Sequence, residues 1–148
     1  MKKLVLAMST LCISVTAVLA ADDPIATRKR IMDSTAAAAG LSAALMKGDI
    51  EYNPTIAKAA ILTLGASAAT FGDYFPEGSG EGQTTASPKI WEDADGFKAA
   101  LAKFTTDTSA ALEASGKDGP ADLDAFKAAV GPVMSNCRSC HEAFRVQN

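Results

Sequence analysis

Four stretches of this chain repeat apolar residues at intervals of three and four, and that period restricts it to packed helices. Alanine is abundant, β-branched residues are scattered, and no Asn-Gly hairpin signal occurs. The expected fold class is all-α, with four long helices. The first starts near Asp22 or Asp23, carries Pro24 in its first turn and runs to about Lys47, with Gly48 as its stop. The second follows the Asn53-Pro54 start signal and ends at Gly72. The third spans about Asp93 to Ser115. The fourth begins at Gly119-Pro120 or just after and ends near Arg145, with Phe126, Val130, Val133, Cys137, His141 and Phe144 on one stripe. Pro132 follows Gly131 inside that last helix. An interior proline costs about 3 kcal/mol, which predicts a kink, a break or a new helix start there.

Two segments fall outside this pattern. Residues 1–20 begin with Lys2 and Lys3, continue through an apolar run from Leu4 to Leu19, and place Val18 and Ala20 at a small-residue cut before Ala21. That is the layout of a secretory signal peptide rather than a membrane anchor. Cleavage one residue later fits as well. The exported domain is then residues 21–148, and of the 3 cysteines it keeps Cys137 and Cys140. Without Lys2 and Lys3, 12 of the 14 basic residues face 17 acidic ones, a net charge of -5. Such a protein is unsuited to nucleic acid and is steered towards a partner with a basic docking face. The second segment, Gly72 to Trp91, includes FPEGSGEGQTTASPKIW. Its length is unusual for a compact domain. The expectation is a crossover pinned at its ends by Phe75 and Trp91, with a solvated centre.

Cys137-Arg138-Ser139-Cys140-His141 carries the chemistry. Cys-x-x-Cys-His is the pattern to which c-type haem is covalently attached. Thiols three apart lie on one helical face and can reach the two vinyl groups of one porphyrin, and the following imidazole can meet the iron. The chain has 1 histidine, so His141 is the imidazole available and a bis-histidine haem is excluded within one subunit. A zinc half-site lacks a second ligand pair. A thioredoxin-like pair needs a strand before it, and a structural bundle with a Cys137–Cys140 disulfide is a third reading. With haem, the far side of the iron needs a wall. Met32 on the first helix can supply a soft thioether that raises the potential, or it can be core packing. Met46 and Met134 are rivals in composition, but Met134 lies too near His141 on the same helix. Arg28, four residues before Met32, is either a propionate partner or a snorkelling surface arginine. Arg145, four residues after His141, either shields the imidazole and reaches a carboxylate or is a favourable charge at a helix end.

These features together resemble the cytochrome c′ family, including its low-spin relatives. The resemblance covers the exported chain and rests on RKRIM at Arg28 to Met32, FPEGSG at Phe75 to Gly80, SPKIWED at Ser87 to Asp93 and CRSCHEAFR at Cys137 to Arg145. Cytochrome c′ is itself a known instance of an up-down-up-down bundle. The resemblance therefore implies an antiparallel up-down-up-down four-helix bundle with haem attached near the C-terminus, one covalent haem c per chain. It matches Cys137 and Cys140 to the thioether cysteines, His141 to the proximal ligand and Met32 to the distal position. In high-spin members that position packs over a vacant iron site; in low-spin members its methionine binds iron. The Ser-Pro-Lys-Ile-Trp run is more similar to the low-spin group. The function implied is a soluble periplasmic electron carrier with His/Met ligation, not an enzyme, working with redox protein partners. The alternative is a five-coordinate cytochrome that binds nitric oxide or carbon monoxide. Relatives form dimers through the first two helices. The Ala-rich face from Ala36 to Ala44 suits a homodimer or an internal contact equally.

Overall fold

In the computed structural model of the protein, residues 23–146 are described, so the expected signal peptide lies outside the described residues. Each long helix starts where a short polar side chain can answer its open amides. The Asp23 carboxylate accepts from Ile25 N–H at 2.9 Å, and Pro24 opens α1, Pro24–Lys47. Gly48 closes α1 with φ 79°, a left-handed turn that a residue with a side chain resists. Asn53 caps α2, Pro54–Thr70, which tightens into a 3₁₀ turn at Phe71–Tyr74. A short helix α3, Lys89–Glu92, leads into α4, Ala94–Ala114, capped by Asp93. Asp122 caps α5, Leu123–Phe144. Each long helix packs on the next, and α1 also touches α5, which closes the four-helix bundle.

The expected break at Pro132 is absent: α5 runs unbroken from Leu123 to Phe144. Pro132 and Ala128, whose carbonyl loses its amide partner, both lie on the solvent side, where water answers the free oxygen. Phe126, Val130 and Val133 are buried on either side of the proline and keep both sides of it packed in the core. Asn136 Nδ2 also donates to the Pro132 carbonyl at 3.1 Å.

The bundle has two unlike halves. In the first, Leu45, Ile61, Leu64, Phe126, Val130 and Val133 have no exposed surface, and all four long helices contribute to the cluster. Tyr52 Oη donates to the Pro120 carbonyl at 2.5 Å and ties the α1–α2 loop to the α4–α5 loop. In the second, Ile90, Phe97 and Phe144 form a smaller cluster with Phe75, Trp91 and Leu101 around an open cavity.

The crossover departs from expectation. Its ends do pack, as Phe75 stacks edge-on against Phe97 with ring centroids 4.8 Å apart and approaches Trp91 at 6.2 Å. Its centre is not solvated throughout, because Ser79 is buried. The reason is Arg28, whose guanidinium supplies the donors that a glycine- and serine-rich segment needs to pack.

Candidate functional site

The cavity in the second half has a volume of about 500 Å³, within the ~300–1,000 Å³ typical of cofactor sites. Its walls come from α1, the crossover, α4 and α5, and they are mostly apolar. The last two turns of α5 present Cys137, Cys140, His141 and Arg145 along one wall. That follows from the 3.6-residue period, which puts residues three and four apart on a single face. The first half of α1 contributes Arg28 and Met32 to the lining of the same cavity. All six residues expected from the sequence thus line one space. Met46 and Met134 pack against the apolar cluster of the other half, so Met32 is the methionine of the cavity among the described residues.

The thiols of Cys137 and Cys140 are free, with no disulfide between them. Burial raises the pKa of both, and the neighbouring Cys137 adds to the rise at Cys140. Both are therefore neutral S–H groups at pH 7. Partial burial lowers the pKa of His141, and the nearby Arg145 charge lowers it further. A neutral imidazole, the form that binds a metal, is favoured. Among the described residues no cluster of three or more His, Cys, Asp or Glu could hold a bare metal ion.

Arg28 is 4% exposed. It donates to the Tyr74 carbonyl at 3.0 Å, to Ser79 Oγ at 2.9 Å, to the Ser79 carbonyl at 2.7 Å and to Thr84 Oγ1 at 3.4 Å. Its guanidinium carbon sits 4.6 Å from the Phe75 ring centroid. Burial pulls its pKa down and Asp23 pulls it up, but an arginine remains charged. Arg145 is exposed, and its Nε donates to Thr85 Oγ1 at 3.5 Å. The charged groups of the lining are Arg28, Lys29 and Arg145 against Asp33, so the negative net charge of the chain is carried elsewhere.

Sequence reasoning missed Asn136, Thr84 and Ile90 in this lining. Asn136 is buried beside Cys137, and its Nδ2 donates to Asp107 Oδ2 at 2.7 Å. Lys103 Nζ reaches the same oxygen at 2.6 Å. These two donors hold the Asp107 carboxyl below its ordinary pKa. A polar residue one place before the first cysteine, on the apolar stripe, was the available signal. Thr84 and Ser79 carried none, since their roles depend on where the crossover lies.

The lining tests the fit to haem directly. It pairs two neutral thiols three residues apart with an adjacent imidazole, in an apolar cavity of suitable size. At the same end the Trp91 indole N–H is buried without an acceptor among the described protein groups.

Comparisons with known proteins bear on the family of the chain. The family model described as Cytochrome C' matches residues 23–145. A cytochrome c-556 of Agrobacterium fabrum is 33% identical over 147 residues, 99% of this chain and 97% of the relative. The solved cytochrome c′ of Rhodopseudomonas palustris superposes with a TM-score of 0.77 at 32% identity, covering 86% of this chain and 99% of that one. A nitric oxide complex of a mutant cytochrome c prime from Alcaligenes xylosoxidans superposes with a TM-score of 0.74 at 28% identity, covering 86% and 96%. The chain belongs to the cytochrome c′ family. It is a monohaem c-type cytochrome of a four-helix-bundle class, and its cofactor is covalent haem c.

Proposed function

We propose that this protein is an exported, periplasmic electron carrier whose haem is low-spin, with His141 and Met32 as the residues that would hold its iron. The haem supplies a one-electron ferric/ferrous couple when bound. Cys137 and Cys140 would hold the cofactor on α5, each by adding its S–H across one vinyl group. His141 offers a neutral imidazole from the next position on that helix. Met32 offers a neutral, soft sulfur from α1, which favours the reduced metal. Arg28 and Arg145 are the cationic members of the binding set and suit carboxylates. The apolar remainder of the lining, Ile90, Phe97 and Phe104 among it, excludes water. This reading assigns no substrate and no catalysis.

The observation that carries the reading is that Met32, from α1, lines the same cavity as the two cysteines and His141 of α5. A redox protein is the natural partner. The cations at the cavity lend no support to a basic docking face there, although the net charge still acts at long range. Ile56 and Leu62 of α2 are 39% and 50% exposed, and they give a homodimer an apolar surface to bury. The stretch Pro54–Tyr74 has the length and hydropathy of a membrane span, but here it packs between α1 and α4 in the bundle.

A second reading, a five-coordinate haem open to nitric oxide or carbon monoxide, is favoured by two solved neighbours, nitric oxide complexes of mutant cytochromes c prime from Alcaligenes xylosoxidans. Replacing Met32 separates the two readings. Met32→Ala is expected to convert a low-spin ferric spectrum to a high-spin one and to open the ferrous protein to carbon monoxide. An unchanged spectrum contradicts ligation by Met32.

A further inference from the structure

The two ends of α1 are held in different ways. Towards its C-terminus, Ala38 and Leu45 are part of the apolar cluster shared by all four long helices. Towards its N-terminus, the apolar cluster around Ile90, Phe97 and Phe144 includes crossover, α4 and α5 residues but none from α1. There, beyond its flank on α2, α1 is fastened by the buried guanidinium of Arg28 and its four oxygen acceptors in residues 74–84. Ser79 is locked in turn, since its Oγ donates to the Pro76 carbonyl at 2.8 Å.

The other end of the same segment is fastened to α5 just past His141. Ser87 N–H donates to the Phe144 carbonyl at 3.0 Å, Val146 N–H donates to the Thr85 carbonyl at 2.9 Å, and Ala86 pairs with Arg145 in an antiparallel bridge. The crossover therefore runs as a strap from one turn before Met32 to one turn after His141.

We propose that Arg28 is a positioning residue: it anchors this strap and thereby sets where the Met32 turn of α1 stands opposite the His141 turn of α5. The guanidinium suits the task because its planar fork meets several fixed acceptors at once, which an ammonium on a flexible stem does not. The spectral part of the test rests on the reading of Met32 as an axial ligand; the strap itself does not.

Three variants of the haem-loaded full chain test this: R28Q, R28K and G80A. A Cβ on Gly80 would sit 2.8 Å from Trp91 Cζ3, so alanine there shifts the strap from a residue outside the cavity lining. Hydrogen exchange by mass spectrometry reads the amides of residues 77–87, and the ferric spectrum reads spin state. All three variants are expected to speed exchange in that segment by about tenfold or more, the scale of losing hydrogen bonds to a charged group. All three are also expected to raise the high-spin fraction. Unchanged exchange in R28Q overturns the proposal. So does full recovery of wild-type exchange and spectrum in R28K, which would make positive charge the whole contribution of Arg28. If the wild-type protein is itself high-spin, the Met32 reading fails while the exchange measurement still decides the role of Arg28.

Discussion

The half of the bundle around Phe126 and the half around the haem cavity are made from the same four helices, yet they are held by different forces. Around Phe126, complementary apolar side chains from every long helix close the space, and nothing beyond the chain is needed. Around the cavity, the apolar cluster includes no α1 residue, and hydrogen bonds from the buried Arg28 tie α1 to the crossover. The lesson is that one end of the fold supplies stability, which frees the other to be shaped for a cofactor.

Mutations should divide along the same line. Phe126→Ala removes a side chain with no exposed surface at the centre of the closed half. It is expected to cost about 3–5 kcal/mol in a denaturant melt while leaving the visible spectrum of the surviving folded protein unchanged. A loss under about 1 kcal/mol would break the division. Cys137→Ser with Cys140→Ser should do the reverse, releasing haem to acidified organic solvent while the far-ultraviolet helical signal persists. Haem that stays with the polypeptide through extraction would contradict attachment at these residues.

Smaller effects sharpen the boundary between the halves. Asp107→Ala leaves buried Asn136 without its carboxylate partner, at an expected cost of about 1–2 kcal/mol. The Asp107 pKa is lowered by its hydrogen bonds from Lys103 and Asn136, so its contribution is present above the ordinary carboxylate value of 3.8. It fades as pH falls through the lower folded value. The wild-type advantage over Asp107→Ala should accordingly shrink in acid and hold constant from about pH 6 to 7; growth of that advantage in acid would refute the assignment. Leu62→Lys is the mildest change. It should leave monomer stability within about 0.5 kcal/mol and reduce self-association in sedimentation, as expected of an exposed apolar side chain.

The closed half was legible from the sequence because its information is local. Period, caps and stop residues such as Asn53 and Gly48 act within a turn or two of chain. The α5 wall of the cavity was legible for the same reason, since Cys137, Cys140 and His141 share one helical face. Met32 was legible through its stripe. The role of Arg28 in the strap was not, because its acceptors at Ser79 and Thr84 lie 51 and 56 residues away in a segment with no period to place it. The break that Pro132 allowed did not form, for a related reason. The penalty of an interior proline depends on whether its orphaned carbonyl meets solvent, and that is a property of the assembled bundle.

Ligation of the haem iron by Met32 is tested most directly by the absorption spectrum of the purified wild-type protein in both oxidation states. It predicts sharp low-spin bands on reduction and, in the ferric form, a far-red sulfur-to-iron charge-transfer band from Met32. A broad high-spin Soret band in the untreated protein, shifting at once on exposure to carbon monoxide, would contradict it.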